Sequence, residues 1–560
     1  MKAQFTLFFF LVLSIAKPQI PQWIWAQSAG DDGNDNLENI AIDSNGDIYA
    51  VGYYSSEFIS FGSYVLENAG SGTNDIFIVK YSDSGDVLWA IGSGGSIDDR
   101  AISIAADHSG YLYVSGYFSS SVIQFGLFSL TNTNAGYSNY FLVKLNSTGE
   151  IIWAKTSNDS PYNDSFNYVY ADNYNNVFVT GSFSSYSISF NSTTLYNYSS
   201  GYDDILVVKY DSDGNFNWAK SAGGLDNDIG NIITSDVNGN IWISGQFTSS
   251  ILYYEDYIHY NEGLNDVFVT KYDSLGNILW SQCSGGNEGD FPLAILPDNN
   301  GNVFLAGYFR SYFITFGNYT LYSCGSPYGD YFLVKFNPEG ETTWAINAED
   351  SPSSDAINSL CMDSCGNLFA TGHFQSQYIT FGDITLHNSN PPGQEIFIVK
   401  FNSSGVAEWA ISAQGDDHDE SFSIALNNNG SLFIGGRFFS ETLKFGSINL
   451  TNFFPGFNDV FVAEYTGFTE TQLQNDQNGF VLFPNPFNEI FEIADHRELY
   501  QYPSEVIVFN MLGQQVGRTE FDAGEQLIIR NYNLGEGIYS VRLIQNEQII
   551  TTFRAVHTDW

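Results

Sequence analysis

The residues best suited to chemistry in this 560-residue chain are acids, and they recur. Asp35, Asp99, Asp164, Asp228, Asp290, Asp355 and Asp419 follow one another at intervals of 62–65 residues. A second set, Asp75, Asp204, Asp266, Asp330, Glu395 and Asp459, keeps the same period, with Asn139 in the remaining unit. A ring of such carboxylates is a candidate site for a hard cation such as Ca²⁺, which takes several oxygen ligands. The competing reading is that each Asp accepts backbone N–H bonds and fixes its own loop. A feature present in every unit is usually scaffold. The turns DSNGD (from Asp43) and DSDGN (from Asp211) lack the spacing and distal Glu of an EF-hand loop and read as hairpin turns. Lys80, Lys144, Lys209, Lys271, Lys335 and Lys400 also recur, and such repetition predicts a structural partner, a carboxylate on a neighbouring strand or turn.

One candidate set varies between units. Tyr53, Tyr117, Gln246, Tyr308, His373 and Arg437, with Ser182 in the third unit, each follow a repeated Gly. Aromatic and polar groups at one level could stack on or bond a sugar; the competing reading is drift at an unconstrained position. No H-E-x-x-H, G-x-S-x-G or P-loop is present, and His418, between Asp417 and Asp419, reads as a solvated side chain. Four cysteines permit two disulfides in an exported protein, with Cys283 and Cys324 on one face and Cys361 and Cys365 flanking one turn.

The elements that position these residues are legible from Trp25, Trp89, Trp153, Trp218, Trp280, Trp344 and Trp409, spaced 62–65 residues apart. Such a period marks a propeller or another stacked array. Each unit reads as four strands. The first ends in Asp or Asn before a tight turn with Gly or Asn three residues on. The second carries aromatic-x-x-Gly-x-aromatic. A variable connection follows, often with Phe-Gly. The third is a continuous apolar run ending at the Lys, as in Ile76–Val79 before Lys80, and a second Gly turn leads to the Trp strand. A run apolar on both faces is buried on both. The Gly inside the second strand predicts close approach by something bulky, for which the repeat Trp side chains are the candidates. Seven third strands but only six following turns leave Trp25, in PQWIWAQSAG, to supply the missing outer strand from the N-terminus. The expected fold is all-β: a seven-bladed β-propeller over residues 17–465, closed by its N-terminal strand, with both long connections of each blade on one face.

The formal charge is −44, of which residues 21–465 hold 50 acids against 12 bases. This surface repels nucleic acid and anionic lipid and attracts cations. Residues 1–16 read as a signal peptide, with Phe5–Ile15 apolar and Ser14-Ile15-Ala16 a small-residue cleavage site. No later apolar run is long enough to span a bilayer. Residues 466–478 read as a polar linker, and residues 479–560 as a small, Ig-like β-sandwich of short strands.

Two resemblances follow from these motifs. The pattern D-x-x-G-N-[IVL]-[FYW]-x-x-G, D-[IV]-F-[IV]-x-K, G-x-x-x-W resembles the bacterial seven-bladed propeller repeat (SBBP) family, which implies architecture and no single activity. Pro484-Asn485-Pro486, VFNMLGQQV with Gly513, and Leu534 with Gly537-Ile538-Tyr539 resemble the type A C-terminal sorting domain of the type IX (Por) secretion system. That resemblance implies the type IX machinery as partner and a secreted or outer-surface location, whereas members often finish in a basic stretch and this chain runs on to Trp560. The expected function is a binding or adhesion module for a glycan or surface protein. A polysaccharide- or peptide-degrading enzyme with acids on the long-loop face, and a structural surface-layer component, are the competing classes. An acid pair absent from the other units would favour the enzyme, and only repeated acids stand out in the sequence.

Overall fold

The computed structural model describes residues 22–157, 162–323, 329–348 and 353–466, together with the strands of the C-terminal region. Residues 1–21, which hold the expected signal peptide, lie outside these, as do Cys324 and the tail residues Pro484, Asn485, Pro486 and Gly513. Two compact units are present: one comprises Trp23–Asn428 and Leu432–Tyr465, and the other contains the C-terminal region from Thr466.

In the first unit the apolar runs do what their composition demands. Every residue of the third strands Asp75–Tyr81, Asn139–Leu145, Asp204–Tyr210, Asp266–Tyr272 and Glu395–Phe401 is buried. A strand buried on both faces needs a layer on each side, and the unit supplies it with seven four-stranded antiparallel sheets of repeated order. In the first sheet the order is Asp35–Ile42, Ile48–Tyr54, Asp75–Tyr81, Val87–Ser93. The last sheet takes its outer strand from the other end of the chain. Gln22–Ala29 lies beside Asp459–Thr466, followed by Leu432–Phe438 and Asp419–Leu426.

The sheets are joined in sequence by one repeated backbone bond. The N–H of each first-strand Asp donates to the carbonyl just before the third strand of the preceding sheet: Asp99 to Asn74, Asp164 to Ser138, Asp228 to Asp203, Asp290 to Asn265, Asp355 to Gly329 and Asp419 to Gln394. Asp35 N–H donates to Asn458 O at 2.9 Å, so the series returns to its start.

The repeat Trp side chains work at the outer edge, against a different Gly from the one expected. Trp25, Trp89, Trp153, Trp218, Trp280 and Trp344 lie against Gly85, Gly149, Gly214, Gly276, Gly340 and Gly405, in the turn before the Trp strand of the next sheet. These glycines have φ of +77 to +91°, and a Cβ there would also press on the indole. Trp25, Trp89, Trp218 and Trp280 donate Nε1–H to a carbonyl of that same turn, at 3.1–3.4 Å. The Lys set shares the target. Lys80, Lys144, Lys209 and Lys271 donate to Ser147, Ser212, Ser274 and Pro338 carbonyls at 2.7–3.2 Å. The expected carboxylate partners occur beside this in three cases, Lys80 with Asp47, Lys335 with Asp298 and Lys400 with Glu408. Trp409 instead lies by Tyr465, 5.9 Å between ring centroids.

Four further differences from the sequence reading appear. Each variable connection contains a two-stranded hairpin, such as Phe58–Phe61 with Tyr64–Glu67, turning at Phe-Gly or at Asn191 and Glu255 with φ of 51–52°. The segment read as linker contributes a short strand, Gln474–Asn475. Cys283 and Cys361 are free thiols, so the two-disulfide arrangement is not formed. The C-terminal region forms two four-stranded sheets, one including the unforeseen strand Gln515–Phe521, with Val506, Val508, Val541 and Leu543 buried. Gly537 and Tyr539 lie on the strand Gly537–Gln545.

Two outcomes test this account. Deleting residues 17–29 removes the outer strand beside Asp459–Thr466, so amide hydrogen exchange there should accelerate before that of the other third strands. Trp218→Ala should lower unfolding stability by about 3 kcal/mol, the low end for a buried Trp because this ring is partly exposed; chemical denaturation would measure it.

Candidate functional site

The first-set acids are spent on the scaffold. Asp35, Asp99, Asp164, Asp228, Asp290, Asp355 and Asp419 are 0–1% exposed. Each accepts the N–H of a Ser about 21 residues on, from Ser56, Ser120, Ser185, Ser249, Ser311, Ser376 and Ser440. The Ser hydroxyl donates to the same carboxylate in six of them. This is the loop-fixing arrangement. Among the described residues no group of three or more His, Cys, Asp or Glu side chains is placed to hold a metal ion. The second set fixes the long connections: Asp75, Asp204, Asp266 and Asp459 accept N–H bonds from Ala69, Tyr198, Glu262 and Phe453. The DSDGN acid Asp211 is likewise occupied, by the N–H groups of Asp213 and Asn215.

Burial dominates the ionisation of both sets, with the Ser and backbone bonds opposing it. Asp35, Asp99, Asp228, Asp290 and Asp419 are raised to about 7 and Asp355 to about 8. In the second set, Asp204 and Asp459 rise to about 7.

The Gly of each second strand builds something different from a seat for Trp. A methyl group at Gly52, Gly116, Gly181, Gly245, Gly307, Gly372 or Gly436 would collide with the carbonyl of the second residue of the paired first strand. Next to that close approach the first strand carries one unpaired residue, a β-bulge in every sheet. A bulge re-aims a side chain. Glu38, Ile102, Asn167, Asn231, Leu293, Asn358 and Phe422 are the seven bulged residues, and all seven line one cavity of about 470 Å³. So a repeated Gly makes room for a repeated bulge, and the bulge presents Asn in three sheets and a different residue in each of the other four.

Of the variable set, Tyr117, Tyr308 and His373 line this cavity. Tyr53 and Arg437 meet the groups around it; Gln246 does not line it, and its Oε1 is buried without a hydrogen-bond partner. Arg437 grips Glu420 at 2.9 and 2.6 Å and donates to Asn36 Oδ1 at 2.7 Å. Its guanidinium lies 5.1 Å from the Phe422 ring centre, and that of Arg100 lies 4.5 Å from Tyr53. Burial pushes the Glu38 carboxyl up despite Arg437, Tyr53 and Arg100. Burial also opposes ionisation of Glu420, but His373 and Arg437 outweigh it and hold that carboxyl below its ordinary range. Burial lowers His373. Glu38 and Glu420 are thus a non-repeated acid pair, which the sequence reading missed. The signal was present as the residues one and three places after each repeated Asp, the positions where the units stop agreeing.

The model of the secretion system C-terminal sorting domain, Por_Secre_tail, matches residues 481–556. This domain marks the chain for type IX secretion to the cell surface or outside, and it implies interaction with that machinery. No helix among the described residues is long and apolar enough to cross a membrane. The uncharacterized WD repeat-containing protein L264 of Acanthamoeba polyphaga mimivirus is 22% identical over 555 residues, covering 80% of this chain and 38% of the viral protein. Regulatory protein FlaEY of Caulobacter vibrioides is 28% identical over 114 residues, 20% of this chain and 12% of that protein. The chain therefore spans well under half the length of either relative. The Neurospora crassa Pan2 WD40 domain aligns over 78% of this chain and 97% of its own, at 9% identity and a TM-score of 0.25. Repeated four-stranded sheets and a type IX sorting tail define an exported, all-β repeat protein of propeller type.

The raised carboxyls predict an inverted pH response. A carboxyl whose folded pKa lies above its unfolded value adds stability below the unfolded value, and that stability is lost as pH rises through the folded value. The unfolding midpoint of the first unit should therefore climb as pH falls from about 8.5 towards 5 at constant ionic strength, and Asp228→Asn should flatten part of the slope. Differential scanning calorimetry reads both; a midpoint that falls steadily over that range contradicts the assignment.

Proposed function

We propose that this protein is a secreted seven-bladed β-propeller of the SBBP type, extending over residues 17–465, that binds a glycan in its axial cavity at the outer cell surface or in the medium. The tail, read as a β-sandwich, serves delivery. One observation carries the reading: the repeated Asp, Trp and Lys hold the ring, whereas the bulged residues and the variable Tyr117, Tyr308 and His373 converge on one cavity. Its volume falls within the roughly 300–1,000 Å³ of small-ligand sites. It combines aromatic faces, Tyr117 and Tyr308, with the amide oxygens of Asn167, Asn231 and Asn358, whose Nδ2 groups donate to the Gly230, Pro292 and Ser421 carbonyls, a mix that stacks on a sugar ring and accepts from its hydroxyls. A calcium role for the Asp ring has less support, since those carboxylates are occupied by Ser and backbone donors.

A second reading has its own observation. Glu38 and Glu420 sit near each other with their ionisation pushed in opposite directions, the pattern of an acid and base pair. The grip of Arg437 on Glu420 limits that carboxylate as a base, and this favours binding over hydrolysis.

Tyr117→Ala should weaken glycan binding at least tenfold in isothermal titration, while Tyr174→Ala, in the turn at the other end of the strands, should leave it unchanged. Removal of residues 480–560 should leave the propeller in the periplasm, detected by cell fractionation.

A further inference from the structure

The cavity's surroundings carry a charge pattern at odds with the rest of the unit. Residues 21–465 hold 50 acids and 12 bases, and only three of those bases are arginines: Arg100, Arg310 and Arg437. All three lie around the cavity. Arg100 is the second residue of the first strand Asp99–Ala106, directly ahead of a bulge. Arg437 is on the second strand Leu432–Phe438, opposite Glu420. Arg310 stands just past Val303–Phe309, with its guanidinium 5.5 Å from Tyr308 and 5.7 Å from Phe291. Four of the six repeated lysines bond turn carbonyls at the opposite end of the strands. Arg and Lys are thus sorted by position, and Arg differs from Lys in presenting a planar fork that matches an oxyanion.

The three arginines are not equally occupied. Arg437 is held by Glu420 and Asn36. Arg100 reaches no acid closer than Asp98, at 3.9 Å, and its Nε is buried with no acceptor. Arg310 makes no ion pair among the described residues, and its guanidinium lies beside the stacked rings of Phe291 and Tyr308, the latter in the cavity wall. Arg100 also donates to the Tyr117 hydroxyl, while contact with the rings holds the forks and leaves other N–H donors, the Arg100 Nε–H among them, to be met. The nearby acids do not cancel them: Glu420 is matched by Arg437, and burial favours the neutral form of Glu38.

We propose that the ligand of this cavity is an anionic sugar, a carboxylated or sulfated residue of a polysaccharide, whose acid group is received by Arg100 and Arg310 while its ring lies on Tyr117 or Tyr308. This rests on the cavity being the glycan site. A protein carrying so large a negative charge repels anions at a distance, so Arg100, paired only with the half-exposed Asp98 at 3.9 Å, and Arg310, without an ion pair among the described residues, serve recognition at contact range. At 0.15 M salt the long-range repulsion is screened within about 8 Å and the local contact decides.

The test uses the full mature chain in isothermal titration at 0.15 M salt. The probes are an oligogalacturonate, its methyl ester, a carrageenan oligosaccharide, which is sulfated and carries no carboxylate, and a neutral xylo-oligosaccharide. Either the carboxylated or the sulfated probe should bind at least tenfold more tightly than both neutral ones, and which of them does so identifies the acid group. Arg100→Gln and Arg310→Gln should each erase most of that preference. Arg100→Lys, which keeps the charge and loses the fork, should recover only part of it. Thermal melts of each variant establish that it is folded. Equal binding of the acid and its methyl ester, still lost in Tyr117→Ala, overturns the anionic assignment and leaves the cavity as the site. Anion binding that persists in Tyr117→Ala and both Arg→Gln variants overturns the cavity reading as well. Absence of binding to all four probes overturns the inference.

Discussion

Burial of the third strands on both faces is the constraint from which the rest of the structure follows. A sheet whose central strand runs Ile-Phe-Ile-Val has no face to offer water, so it is stable only between two others. Seven such sheets in sequence would leave two apolar faces at the ends of the row. The return bond from Asp35 to Asn458, and the seating of Gln22–Ala29 beside Asp459–Thr466, remove both ends at once. The outer rim then fixes the spacing between sheets. An indole and a Lys from one sheet converge on the carbonyls of one turn in the next, where a positive-φ Gly leaves room for the ring.

The inner rim is built on the same economy, and there the structural and recognition roles separate. Each first-strand Asp is held by Ser hydroxyl or backbone N–H donors, and burial, outweighing those donors, keeps the carboxyl from ionising easily. On the neighbouring strand, the Gly of the second strand admits a carbonyl that any Cβ would displace, and the bulge it permits turns one side chain towards the cavity. Seven copies of one backbone device therefore present five kinds of side chain, Glu38, Ile102, Asn167, Asn231, Leu293, Asn358 and Phe422, to one volume. Repetition supplies the frame, and departure from repetition supplies the chemistry. The three arginines follow that division, being absent from the repeat and gathered at the cavity.

Much of this was legible in the chain itself. The strand order within each unit, the Asp-to-Gly turns and the ownership of Trp25 by the last sheet follow from local composition and counting, because turn chemistry and apolar runs are properties of contiguous residues. The tail motifs around Val508 and Gly537 agree with the sorting-domain match over residues 481–556. What the residues could not show was which groups meet between units. The strand-two Gly and the turn Gly look alike in sequence, yet one faces a carbonyl of its own sheet and the other an indole from the preceding sheet. Glu38 and Glu420 stand 382 positions apart, and only closure of the ring places both beside Arg437. The sequence by itself determined the unit, its repetition and its destination, since these are written in short-range patterns. The tertiary structure decided which acids are scaffold and which residues share a cavity, because burial and proximity across sheets arise only when the two ends of the chain meet.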